Sequence, residues 1–219
     1  MSLFRCFLCS SWCKISDFIC QDCFKLLPWN NNCCNLCAAP LDSSSFSQKL
    51  CVNCVSNPFV VNVNSIFLYS YPISSMLHDY KYGSRLDFAV FFARAILNSF
   101  DIVSLPDLIV PVPLHSNRLR WRGFNQSFEI AKIISFYLGV KVSNRVCVRL
   151  KNTISQTTYD RSERWVNIDN AFHVVSNVSN KNIIIIDDVV TTGATVASLS
   201  STLRNAGCGS VEVWCVARR

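Results

Sequence analysis

Two acids and a threonine–glycine turn, Asp187-Asp188-Val189-Val190-Thr191-Thr192-Gly193-Ala194-Thr195, are the residues of this chain best suited to chemistry. Adjacent carboxylates suit a sugar diol or a bound metal. Backbone N–H groups at a helix start, with hydroxyls beside them, hold a phosphate. The four isoleucines just upstream, Ile183 to Ile186, read as a central parallel strand buried on both faces. Val196 to Ala206 then reads as a helix closed by Gly207. Ligands of open α/β sheets bind at the carboxyl ends of strands, so one strand end here offers grips for both a phosphate and a sugar.

A second constellation is basic. Residues 115 to 164 hold ten Lys/Arg against three acids, and the rest of the chain holds eleven of each, so the net charge of +7 lies in this one stretch. Such a concentration points to an anionic ligand or polymer, the alternative being a solvated basic surface. Within it, Val110-Pro111-Val112-Pro113-Leu114 ends a strand with prolines that stop the ladder. Arg118, Arg120 and Arg122 follow at alternating positions, a pattern that suits an extended or loop segment presenting guanidiniums to phosphate oxygens. Asn125 or Ser127 would cap the next helix, and His115 alone reads as a surface histidine. Arg149, Gln156, Arg161 and Arg164 lie in or beside a weakly periodic segment, 151–172, that reads as a long loop able to close over a polyanion. Lys81, after a short helix, reads equally as a solvated side chain or as a site cation.

The cysteines carry a third chemistry. Ten of the thirteen precede residue 55, and eight of these form four Cys-x2-Cys turns: Cys6/Cys9, Cys20/Cys23, Cys34/Cys37 and Cys51/Cys54. Each turn aims two thiolates at one point, and two turns complete a tetrahedral four-cysteine zinc site. Sequential pairing gives the shortest loops and two structural zinc ions with no open coordination position. A cross-braced pairing, a single zinc and redox cysteines stay open as alternatives, and a reducing compartment disfavours disulfides. Cys13 and Cys33 look spare, and Cys147, Cys208 and Cys215 read as core.

These groups need elements to position them. At 219 residues, half apolar and 16% charged, the chain is long enough for one α/β domain and a small appendage. No apolar run approaches the ~18–20 residues of a membrane span, and no secretory h-region follows Met1, so a cytoplasmic protein without membrane insertion is expected. The pattern divides into a cysteine module at 1–57, with a junction near Asn57-Pro58, and an α/β domain at 58–219. The latter reads as strand 65–71, helices 73–82 and 86–99 (with Phe88, Phe91 and Phe92 in the core), strand 108–112 and helix 126–138 ended by Gly139. Short strands near 140–142 and 146–150, the Ile183 strand with its helix, and a last strand at 210–216 follow. Such alternation implies a parallel, helix-covered sheet.

The Ile183–Thr195 stretch resembles the phosphoribosyl-diphosphate (PRPP) signature of type I phosphoribosyltransferases, with neither the lysine of a Walker A loop nor dinucleotide-loop glycine spacing. The rest is similar to the ComF (ComFC/GntX) family of competence and DNA-utilisation proteins. The likeness lies in the Cys-x2-Cys pairs, Val-Pro-Val-Pro-Leu, Arg122-Gly123-Phe124-Asn125-Gln126, and the trail Arg149, Thr153, Gln156, Arg161, Asn167, Ala171, Phe172. The resemblance implies an α/β fold with a parallel twisted sheet of the type I phosphoribosyltransferase kind, preceded by a small double zinc-ribbon module. It implies that Asp187 and Asp188 are the catalytic acids, contacting the ribose 2′ and 3′ hydroxyls, and that Thr191–Thr195 holds the 5′-phosphate. Pyrophosphate with Mg²⁺ would lie toward the Val-Pro-Val-Pro turn, near Arg118, Arg120 or Arg122, with the 151–172 loop as a hood. The implied partners are PRPP, single-stranded DNA and competence-machinery proteins. The implied function is phosphoribosyl transfer to a nitrogenous acceptor during DNA uptake or utilisation, the alternative being a non-catalytic PRPP sensor that binds DNA or competence partners. No residue reads as a general base.

Overall fold

The structure, a computed structural model, describes residues 3–14, 18–42, 49–56, 61–83, 85–100, 102, 104–151 and 171–219. The proposed junction at Asn57-Pro58 and most of the proposed hood, with Thr153, Gln156, Arg161, Arg164 and Asn167, lie outside the described residues.

Four parallel strands make the main sheet: β3 (Asn62–Leu68), β4 (Leu108–Pro111), β7 (Asn182–Val190) and β8 (Ser210–Arg218), in the order β3-β8-β7-β4. The isoleucine run sits centrally because it can be apolar on both faces. Ile184 and Ile186 pack with α3 (Ile73–Tyr82), α4 (Asp87–Ser99) and α6 (Gln126–Leu138). Ile183 and Ile185 turn to the opposite face, under α7 (Ala194–Asn205). That alternation is the period-two geometry of a strand, and burial on both faces is what a parallel sheet requires. Helices α3 and α6 have the bounds that periodicity predicts. Asn125 caps α6 by accepting from Ser127 N and Phe128 N, and Gly139 ends it at φ +67°.

Three expectations change. The strand expected at 140–142 reduces to one bridge between Val142 and Ile109. The short strand β5 (Cys147–Arg149) leaves the main sheet and pairs antiparallel with β6 (Phe172–Val174). The segment carrying Arg118, Arg120 and Arg122 is helical: α5 (Ser116–Arg122) is capped by His115 Nδ1, which accepts from Asn117 N, and ends at Gly123 with φ +83°. Helix wins because nothing between the two caps breaks it, and spacing of i, i+2, i+4 still returns the first and last arginines to one face.

The N-terminal residues form a hairpin of β1 (Leu3–Arg5) and β2 (Trp12–Lys14), then α1 (Gln21–Lys25) and α2 (Val52–Ser56). They pack against the sheet and α4. Leu68 N donates to Pro28 O, Asn30 N to Ile66 O and Val63 N to Leu36 O, so residues 28–36 run along the outer edge of β3. Trp29 lies on Phe67 with ring centroids 4.8 Å apart, and Phe7 on Phe88 at 4.7 Å. Cys6, Ile19 and Leu27 belong to the same apolar cluster as Ile184 and Ile186. Among the described residues no helix is long and apolar enough to cross a membrane.

Candidate functional site

Asp187 and Asp188 lie at the carboxyl end of β7, 8% and 4% exposed. Each has a different partner. Asp187 Oδ1 accepts from Ser127 Oγ at 3.2 Å and from Asp188 N at 2.9 Å. Asp188 Oδ2 pairs with Lys81 Nζ, from the last turn of α3. Tyr80 next to it donates from its buried hydroxyl to Gln126 O at 2.8 Å, tying α3 to the start of α6.

These environments separate the two acids. Burial pushes Asp187 up, and the neighbouring Asp188 charge pushes it further, to about 8. Burial acts on Asp188 in the same sense, but the Lys81 ammonium outweighs it and holds Asp188 below the usual carboxylate range. The pair thus carries one proton and one charge near neutrality. Because folding raises the affinity of Asp187 for its proton, its stabilising contribution is complete below about pH 4 and is lost as pH rises through about 8. The lowered Asp188 contributes stability above the unfolded value and is constant across this window. The metal-loaded protein should therefore melt at a lower temperature at about pH 9 than at about pH 6.5. Asp187→Asn, a neutral group of the same shape, should flatten that slope; an equal slope in the variant would place its origin elsewhere.

Beyond the acids, β7 continues to Val190, and Thr191, Thr192 and Gly193 turn the chain into α7. Gly193 takes φ +83°, a conformation that costs glycine little. Thr192 Oγ1 accepts from Ala194 N at 3.3 Å, and the first-turn amides of α7 face the turn without intrahelical acceptors. One buried arginine holds the approach to this turn from behind. Arg218 Nη1 donates to Val190 O at 3.1 Å, to Thr191 O and to Arg219 O at 2.6 Å, while Nε donates to Cys37 O at 2.9 Å.

The helix α5 divides the three arginines expected to act together. Arg120 Nη2 bonds Asn117 Oδ1 at 2.8 Å on the exposed side. Arg122 Nη1 donates to Gln126 Oε1 at 2.6 Å, and its guanidinium lies over Tyr82 at 5.2 Å. Burial lowers Arg118, and the charge of Arg122 lowers it further. Burial, then the charge of Arg118, brings Arg149 to about 10 against the pull of Asp187. Arg118 thus feels Arg122 on one side and repels Arg149 on the other, near the acids, and an anion would relieve that repulsion. Arg149 joins from β5, outside the arginine-rich turn. Ser127 and Arg218 are further additions: the sequence offers Ser127 as a helix cap, and the signal for Arg218 is a charge directly after the apolar run Val213–Ala217.

The eight cysteines converge in two sets, Cys6/Cys9/Cys20/Cys23 and Cys34/Cys37/Cys51/Cys54, with the sulfurs of each set within 4.8 Å of one another. This is the sequential pairing. Cys9 Sγ and Cys20 Sγ are 3.5 Å apart, and Cys37 Sγ and Cys51 Sγ 3.6 Å. The edge of a tetrahedron with metal–sulfur bonds of about 2.3 Å is about 3.8 Å, whereas a disulfide is about 2.05 Å. The sets fit an ion. In each, backbone donors favour a first thiolate: Leu8 N donates to Cys6 Sγ at 3.4 Å, and Cys34, against its burial, is brought to about 7 by the Cys37, Cys51 and Leu36 amides. A neighbouring thiol, Cys23 or Cys54, is pushed up by burial and by the other sulfurs. Four thiolates at one point need a cation.

The phosphoribosyl transferase domain family matches residues 126–219, a span that begins at α6 and contains the acids, the turn and Arg218. Over nearly its whole length the chain is similar to DNA utilization protein YhgH of Salmonella typhi, 32% identical over 224 residues, 97% of this chain and 96% of that protein. YhgH of Escherichia coli K12 is 30% identical over 221 residues, with 97% and 96% covered. Competence protein F of Haemophilus influenzae is 27% identical over 229 residues, with 98% and 97% covered. An α/β phosphoribosyltransferase domain preceded by two four-cysteine clusters, alike from end to end with these relatives, belongs to the ComF family.

Proposed function

We propose that the site binds PRPP and transfers its phosphoribosyl group to a nitrogenous acceptor, in the service of DNA uptake or utilisation in the cytoplasm. The observation that carries the reading is the juxtaposition at one strand end of the Asp187–Asp188 pair, held by Ser127 and Lys81, and the Thr191–Thr195 turn, with the charges of Arg122 and Arg149 acting on the acids. Asp188, charged and anchored by Lys81, accepts from a ribose hydroxyl. Asp187, hydrogen-bonded to Ser127, takes the other. Val189 and Val190 deliver the chain to the turn, where the hydroxyls of Thr191, Thr192 and Thr195 and the amides of Gly193 and Ala194 surround the 5′-phosphate. Arg118, Arg122 and Arg149 receive the diphosphate, with Arg120 toward solvent.

In the reaction the bond from C1′ to the diphosphate oxygen breaks, and the diphosphate leaves with the electron pair. The nitrogen lone pair then forms the bond to C1′, and the proton on that nitrogen passes to the departing diphosphate. The arginines, already positioned before the charge develops, stabilise the leaving group most when it carries most charge. Asp187 and Asp188 are hard oxygen donors suited to Mg²⁺, which when bound with PRPP neutralises diphosphate charge. Zinc is the ion expected in both cysteine clusters, where four protein thiolates leave no open position and the role is structural.

A second reading, a PRPP sensor that binds single-stranded DNA or a competence partner, is supported by one surface. Trp121 and Tyr82 are 74% and 52% exposed and meet edge to face at 5.8 Å, with Arg122 over the Tyr82 ring. Exposed aromatics among arginines form a stacking platform for bases. One screen separates the readings: pyrophosphate release from PRPP and Mg²⁺, across nitrogenous bases, nucleosides and single-stranded DNA. Release with one acceptor class supports transfer. PRPP binding without release, together with salt-sensitive DNA binding that Trp121→Ala weakens, supports the sensor.

A further inference from the structure

We propose that Arg218 is a positioning residue that couples the second cysteine cluster to the phosphate-binding turn, so that metal at Cys34/Cys37/Cys51/Cys54 sets the geometry of Thr191–Thr195. The proposal rests on the reading of that turn as the 5′-phosphate site.

Arg218 is 3% exposed. It lies at the end of β8, in register with Leu68 of β3 on one side and Val190 of β7 on the other. Its guanidinium donates to the peptide carbonyls of Cys37 through Nε and of Val190 and Thr191 through Nη1, and Nη1 also bonds a carboxylate oxygen of the terminal Arg219 at 2.6 Å. Among the described residues no side-chain carboxylate forms an ion pair with it. A buried cation is unfavourable unless its charge and its donors are met on every side. A divalent ion held by four thiolates carries a net charge of −2, and the nearest such centre begins at the residue whose carbonyl Nε already holds. Cys37 is both a ligand of that cluster and an acceptor of Arg218.

The other arm reaches the site. Val190 and Thr191 are the last strand residue and the first turn residue before Gly193 and α7. Fixing their carbonyls fixes the direction in which the turn amides and hydroxyls point. One planar guanidinium thus bonds a metal ligand and the turn at once, which a lysine could not do with the same geometry. Loss of the second ion would free the Cys37 carbonyl that Nε holds, leave the guanidinium without its anchor on that side and so loosen the turn. The first cluster, Cys6/Cys9/Cys20/Cys23, is not in contact with Arg218 through any of these bonds.

The test uses the full-length, metal-loaded chain with ribose 5-phosphate and Mg²⁺-pyrophosphate as separate calorimetric probes, and zinc release to a colorimetric chelator. Arg218→Met should weaken ribose 5-phosphate by about tenfold or more, the effect of losing charge-assisted hydrogen bonds. Pyrophosphate affinity should stay within about twofold, and one of two zinc ions per chain should be released faster. Arg218→Lys keeps the charge but not the fork, so zinc retention should recover and ribose 5-phosphate should stay weak. Cys54→Ala, which opens only the second cluster, should weaken ribose 5-phosphate as Arg218→Met does. The proposal is overturned if Arg218→Met binds ribose 5-phosphate like the parent, if both probes weaken alike, or if both zinc ions keep their parental release rates. A parent chain that does not bind ribose 5-phosphate would instead remove the phosphate-turn reading, and the zinc-release arm would still decide whether Arg218 serves the second cluster.

Discussion

Replacing Asp187 and Asp188 together with Asn should lower calorimetric affinity for PRPP by about 100-fold, because Asp188 would lose a charge-assisted hydrogen bond worth about 1.5–3 kcal/mol and Asp187 a neutral one worth about 0.5–1.5 kcal/mol. The two positions should also behave differently in stability. Asp187 is already held protonated near neutrality and bonded to Ser127, so its amide is a near-isostere. Asp188 is the counter-ion of Lys81, whose side chain is 20% exposed. Removing one partner of such a pair costs about 3–5 kcal/mol when burial is complete, and less here in proportion to solvent access. Lys81→Met added to Asp188→Asn should therefore restore much of the melting temperature and none of the PRPP affinity. Affinity equal to the parent in the double Asn variant would sink the site assignment. Loss of binding without recovery of stability in the Lys81 variant would reassign the ion pair.

Chelation should lower the melting temperature of the whole chain by about 10 °C or more, in a single calorimetric transition that includes the sheet. Structural zinc contributes about 10–16 kcal/mol in isolated zinc-finger peptides, far more than the net stability of an ordinary domain. Spacing of the Cys-x2-Cys turns in the sequence suggests a module that would unfold by itself. The packing argues otherwise. Cys6, Ile19 and Leu27 lie in the core cluster shared with Phe67, Phe92 and Ile184, and Phe7 sits between Phe88 and the guanidinium of Arg85, 4.1 Å from its ring. Unfolding the module would expose that face of β3 and α4. Two well-separated transitions, or a sheet that melts at the same temperature with and without metal, would contradict this.

What was legible in the sequence was whatever a local pattern dictates. The isoleucine run, the caps of α6 and the paired cysteine turns each carry their own instruction, and all three appear where that instruction places them. The helical state of Arg118, Arg120 and Arg122 was not legible, since alternating arginines suggest an extended segment and the deciding features are caps at both ends. The partner of Lys81 was likewise hidden, because α3 and the end of β7 are far apart in the chain and are brought together only by the fold. Arg218 is the clearest case. Its four acceptors come from the cysteine module, the end of β7, the turn after it and the adjacent residue, a combination that no window of sequence contains.

The segment from Pro28 to Leu36 that runs beside β3 has a consequence for handling the protein. An outer strand with free amides and apolar side chains such as Ile66 and Phe67 is a template for polymerisation. Here the chain sheathes that template with its own backbone, and the sheath is anchored between the two cysteine clusters. The metals would therefore act as guards against self-assembly as well as staples of the fold: a preparation stripped of them would bare a sticky rim, and its losses would appear as precipitate before they appeared as inactivity.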